Sequence, residues 1–154
     1  MIYTIKPNRH YSSIIPKIVC KSYIKGTITF LSDVEYKITR QGDTNKIIGL
    51  SDNFSHHKDS IRLGWRYYKG KRQIMTIAYM KGKRSISYLC DFEVGIKYSF
   101  YIGVFDGFYH IVFHGNFKTI NRRSTWSYPR ILLKPYFGGK ETVNKEFKIK
   151  IDLQ

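Results

Sequence analysis

Phe100-Tyr-Ile-Gly-Val-Phe-Asp106-Gly107-Phe-Tyr-His-Ile-Val-Phe113 decides the fold class. Two aromatic, β-branched runs flank an Asp-Gly pair. That pair is the signature of a type I′ turn, which needs positive φ at both central residues. Residues 145–153 alternate Phe147, Ile149, Ile151 and Leu153 against Lys148, Lys150 and Asp152. Such alternation marks a strand with one buried face. Residues 61–68 set Ile61, Leu63, Trp65 and Tyr67 on one face, with Arg62 and Arg66 on the other. Further strands are expected over 26–31, 34–39, 46–50, 73–80, 85–92, 117–121 and 130–135. Helix signals are almost absent: Ala78 is the only alanine, and Pro16 interrupts the one segment, 12–24, that could hold a helical turn. The expected fold is all-β: a single-domain antiparallel sandwich over residues 1–154, jelly-roll or concanavalin-like, with about ten to twelve strands.

The chain has 154 residues, with 27 Lys and Arg against 11 Asp and Glu, for a net charge of +16. An apolar content of 42% excludes a disordered chain. Scarce Ala beside abundant Ile, Lys, Tyr and Asn suggests an A+T-rich coding sequence, which accounts for some lysines but not for the shortage of acids. A field of this sign favours polyanions, acidic protein surfaces or anionic glycans. No signal peptide and no membrane-spanning run is read, so a soluble protein is expected. Cys20 and Cys90 are read as two buried free thiols, with a single bridge left open.

The charge is spread along the chain. Lys69, Lys71 and Arg72 belong to one Lys-Gly-Lys-Arg turn, and Lys81, Lys83 and Arg84 to a second. One strand separates the turns, so they lie roughly 25 Å apart and cannot share a phosphate site. With Arg122 and Arg123, these six residues are the candidates for contact with a polyanion.

Motifs of known chemistry are missing: there is no nucleophile elbow, zinc motif, Walker loop or dinucleotide fingerprint. His110 and His114 share a strand face but lie about 13 Å apart, too far to share a metal unaided. No metal, cofactor or catalytic group is expected. Candidate ligand-binding residues are His56 and His57 in a polar loop, Arg62 and Arg66 on one strand face, and Trp126 and Tyr128 before Pro129.

The segment Lys46-Ile-Ile-Gly-Leu-Ser-Asp-Asn, His56-His57-Lys-Asp-Ser-Ile-Arg-Leu-Gly-Trp-Arg66, and Leu133-Lys-Pro-Tyr-Phe-Gly-Gly139 resemble uncharacterised β-sandwich proteins of gut Bacteroidota and their phages. In layout they are similar to concanavalin-like or LamG-like jelly rolls. The acidic metal-binding cluster of legume lectins is missing, so their sugar-binding residues do not carry over. The resemblance implies a fold and no reaction. The function expected is therefore a non-enzymatic basic interaction module, a phage virion or assembly protein docking on an acidic surface such as a capsid. Its location would be the virion or the host cytoplasm. Alternatives are a lectin-like carbohydrate-binding module and a nucleic-acid-binding phage accessory factor without sequence specificity. Expected partners are an acidic protein surface or anionic polymer, a glycan, or a second copy of the chain, and no membrane.

Overall fold

The computed structural model describes residues 1–12, 17–33, 35, 43–138, 142 and 145–154, and among these no helix occurs. The strands are β1 (Ile2–Ile5), β2 (Lys17–Val19), β3 (Tyr23–Phe30), β4 (Asn45–Ser51), β5 (Ser60–Tyr68), β6 (Lys71–Met80), β7 (Lys83–Asp91), β8 (Lys97–Phe105), β9 (Phe108–Phe113), β10 (Asn116–Asn121), β11 (Arg130–Leu133) and β12 (Phe147–Leu153). They form two antiparallel sheets of six. One runs β1-β12-β3-β8-β9-β10 and the other β2-β11-β4-β5-β6-β7. This is the jelly-roll β-sandwich expected from the sequence.

Local chemistry explains the hairpins. Lys69-Gly70, Lys81-Gly82, Asp106-Gly107 and His114-Gly115 all have positive φ at both residues. Each is a two-residue loop whose twist matches its flanking strands. A Cβ on any of these four glycines would meet nothing within 4 Å, so glycine is there for its backbone angle rather than for space. The two Lys-Gly-Lys-Arg turns do sit at opposite ends of β6.

The inward faces follow the sequence alternation. Ile61, Leu63 and Trp65 of β5 meet Ile149, Ile151 and Phe147 of β12 in one core cluster. Trp65 is its centre, 1% exposed, stacked on Phe147 at 5.0 Å and edge-on to Phe137 at 5.5 Å. Truncating a core aromatic of this kind costs about 3–5 kcal/mol.

Three readings need adjustment. β1 and β2 escape the sequence pattern because edge strands of four and three residues are too short to show alternation. The strand expected over 34–39 lies outside the described residues, apart from Glu35. Both cysteines are free, with Cys20 exposed and Cys90 half-buried rather than both being buried.

One polar group ties the sheets together inside the sandwich. The buried Asp52 carboxylate accepts from Arg130 Nε at 3.0 Å and Arg122 Nε at 2.8 Å. It also accepts from the Tyr109 hydroxyl at 2.6 Å, and burial, followed by this bond, pushes that phenol well above its usual range. Tyr109 belongs to the first sheet and Arg130 to the second, so this hub is a cross-sheet clamp.

Candidate functional site

The outward face of the second sheet is set by the same alternation that builds the core. With Ile61, Leu63 and Trp65 pointing in, Ser60, Arg62, Gly64 and Arg66 point out. Register then brings partners to that face: Gly64 lies opposite Lys46, Ser60 opposite Tyr79, and Arg66 opposite Gln73. Tyr136 joins beside Lys46 through a pair of backbone hydrogen bonds of 2.8 and 3.0 Å.

Arg62 is the centre. Opposite it on β4 is Gly49, where a Cβ would fall 2.6 Å from Arg62 Cγ. The missing side chain lets the arginine lie across β4, where its Nη2 donates to the Lys134 carbonyl at 2.8 Å. Its Nε is buried with no hydrogen-bond partner. Burial lowers the guanidinium to about 10, opposed by the nearby Tyr79 and Tyr136 hydroxyls, so it remains a cation at neutral pH. A buried cation with an unused donor is expensive unless an anion meets it.

Lys46 and His56 surround it. The Lys46 ammonium donates to the Gly138 carbonyl at 3.0 Å and sits 5.1 Å from the Tyr136 ring centroid. Burial, then the Arg62 charge, lowers its pKa to about 8. His56 is lowered to about 4 by burial, then by His57, Arg62 and Lys46, so its imidazole is neutral at physiological pH. Its loop is fixed by Ser60 Oγ donating to the His56 carbonyl at 2.6 Å. His57 meets His56 at 4.1 Å and Tyr79 edge-on at 5.1 Å. Tyr136 is stacked on His10 at 5.1 Å, and His10 Nδ1 lies 2.8 Å from the Phe137 carbonyl. Among the described residues no carboxylate forms an ion pair with Lys46, Arg62 or Arg66. The face thus joins a buried guanidinium and a part-buried ammonium to two tyrosines and a neutral imidazole.

The structure brings together some of the residues expected from sequence and separates others. Arg62, His56 and His57 converge. Arg66 lies further along the same face, held by Gln73 at 2.8 Å and over the Tyr68 ring at 4.6 Å. Trp126 and Tyr128 border a different cleft, with Arg123 and Lys81. Lys71 pairs with Asp91, and Arg72 with Glu35. Arg122 is occupied by Asp52 inside the sandwich. Lys69 reaches back over the Tyr68 ring at 5.4 Å. Lys83 and Arg84 open β7 beside the second turn. Lys46, Tyr79 and Tyr136 are members of the site that sequence reasoning missed. The segment Leu133–Gly139 carried the signal for Tyr136, as a Pro-bounded aromatic stretch with no core periodicity.

No protein-family model matches the chain, and no curated protein matches it. Solved structures do. The alginate lyase AlyC3 superposes with a TM-score of 0.67 at 10% identity, covering 99% of this chain and 74% of its own. An alginate lyase from Klebsiella pneumoniae gives 0.65 at 12% identity, covering 86% of this chain and 59% of its own. One from Pseudomonas aeruginosa gives 0.58 at 12% identity, covering 86% and 62%. The chain thus spans about three-fifths of the length of these last two enzymes. These likenesses establish the jelly-roll fold. They also correct the expectation of a non-enzymatic phage virion or accessory module, and of the expected partners they support only a glycan, since neighbours are known with bound alginate oligosaccharides. The solved structures named here are alginate lyases, which runs against the expectation of no enzymatic function. The physical reason for the error is that the site has no acid pair or local motif, so nothing in a linear reading draws it together.

Proposed function

We propose that this chain is a polysaccharide lyase acting on an acidic, uronate-containing glycan at the outward face of its second sheet. The observation that carries the reading is Arg62, a buried guanidinium with an unused Nε donor and no carboxylate partner among the described residues. A uronate carboxylate supplies the missing acceptor, and charge-assisted pairing is the strong form of such a bond. The shared fold supports the same reading, since AlyC3 is known in complex with dimannuronate.

The chemistry follows from that contact. Neutralising the carboxylate at C5 of the sugar makes the C5 proton acidic. A base removes it, the C5–H electron pair forms the C4=C5 double bond, and the C4–O4 bond breaks. The departing O4 takes a proton from an acid. His56, neutral and beside Arg62, is the base of this proposal. The Tyr79 and Tyr136 hydroxyls, also beside Arg62, are the acid candidates. Lys46 adds a second positive charge to the carboxylate pocket and gives up part of it above about pH 8. The net charge of +16 attracts an acidic polymer to the whole surface.

The test is direct. Purified protein is incubated with alginate and other uronate polymers, with a neutral glucan as control. The ultraviolet absorbance of the new double bond is then followed. The expected result is unsaturated product from at least one uronate polymer and none from the glucan. Folded protein that yields no unsaturated product from any uronate polymer refutes the reading.

A further inference from the structure

A second cleft, of about 470 Å³, opens where the 52–59 loop, the β6–β7 turn and the 122–129 segment meet. Asn53, Asp59, Lys81, Arg123, Trp126 and Tyr128 line it. Trp126 is 44% and Tyr128 48% exposed, yet both are held firmly. The Trp126 amide donates to Ser124 Oγ at 3.1 Å and its indole Nε1 to the Pro129 carbonyl at 2.8 Å. Its own carbonyl accepts from Arg122 Nη2. The Tyr128 ring lies under the Arg130 guanidinium at 4.7 Å. Both arginines are anchored on Asp52, so the buried clamp reaches outward and fixes two exposed aromatic rings.

A hydrophobic core does not require such an arrangement, because rings this exposed bury little apolar surface. Pre-organised aromatic faces beside polar groups are what a sugar ring needs, since its C–H face stacks and its hydroxyls are hydrogen-bonded. The polar groups here lean positive. Neither Arg123 nor Lys81 has an ion-pair partner among the described residues, whereas Asp59 Oδ1 is engaged by the Lys81 amide at 3.0 Å.

We propose that this cleft is a second saccharide site, which takes an anionic sugar unit with its ring on Trp126 and its carboxylate on Arg123 and Lys81. It shares with the lyase reading only the class of ligand. The 52–59 loop lies between the two sites, with His56 facing one and Asn53 and Asp59 the other.

The chain has two tryptophans, and Trp65 is 1% exposed, so fluorescence that responds to a surface ligand reports Trp126. Titration with mannuronate oligomers is expected to quench this fluorescence in the intact protein and equally in Arg62→Met, whose first site is disabled. Arg123→Ala is expected to weaken the response about tenfold, the worth of one charge-assisted hydrogen bond. Trp126→Phe removes the responding signal and leaves that of Trp65. Quenching that persists in Trp126→Phe overturns the proposal, as does a protein that cleaves the polymer without any quenching. Quenching that persists in a protein with no lyase activity supports the cleft and refutes only the lyase reading.

Discussion

Arg130 and Arg62 are both buried arginines of the second sheet, and they differ in what faces them. Arg130 points into the sandwich, where Asp52 meets its Nε at 3.0 Å. Arg62 points out across Gly49 and meets one backbone carbonyl, with its Nε unused. The difference shows how to sort a basic chain. A buried cation closed by its own carboxylate is a structural part, whereas one left without an anion is, on the proposed reading, where a ligand completes the protein.

Breaking the closed cluster should have the largest effect on stability. Asp52→Asn leaves Arg122 and Arg130 uncompensated inside the protein and is expected to cost about 3–5 kcal/mol. Thermal denaturation measures this, and cleavage assayed well below the new midpoint should continue. The open cluster should show the reverse pattern. Arg62→Met removes a buried charge and keeps the bulk, so stability is expected to hold or rise. Activity on a uronate polymer should fall about 100-fold or more, as for loss of a key electrostatic donor. An Arg62→Met variant that loses stability while keeping activity would reverse the assignment of the two clusters.

Gly49 sharpens the comparison, because it is what lets Arg62 lie flat. Gly49→Ala places a Cβ against Arg62 Cγ and the Ile61 carbonyl. It is expected to cost about 1–3 kcal/mol as an overpacked site and to lower activity by displacing the guanidinium. Comparing its denaturation midpoint and turnover with those of Arg62→Met separates displacement of the arginine from its removal.

The smallest effects are those of pH. His56 is lowered from 6.5 to about 4 in the folded chain. As pH falls below 6.5 the unfolded chain takes up a proton that the folded chain refuses until near 4, so stability declines across that window. His56→Gln should flatten this slope in urea titrations at a series of pH values. At the other end, Lys46 loses its charge as pH rises through about 8, so glycan affinity should fall there. Lys46→Met should remove that step.

Much of the fold was legible because β-structure writes itself at short range. The alternation in β5 and β12 and the Asp106-Gly107 turn need only neighbouring residues to be recognised. Arg62 and Arg66 were placed on one face by the same rule. The site itself was not legible, because register assembles it. Tyr79 comes beside Arg62 only when Ser60 pairs with it, and Lys46 only when it pairs with Gly64. Tyr136 arrives from 74 residues beyond Arg62 in sequence, through two backbone bonds to Lys46. The role of Gly49 shows only once Arg62 is seen to cross it. Asp52 likewise carries no sequence signal of its own, because its partners Tyr109, Arg122 and Arg130 lie 57 to 78 residues further on.

On the proposed reading Arg62, unlike Arg122 and Arg130, accepts an outside carboxylate. A proton–nitrogen correlation spectrum of the arginine Nε–H groups, recorded while a mannuronate dimer is added, tests it most directly. Carboxylate binding at Arg62 predicts that its resonance moves with dimer concentration, and moves to the same extent in Arg123→Ala, whose second cleft is weakened. An Arg62 resonance that does not move at dimer concentrations that saturate binding would contradict it.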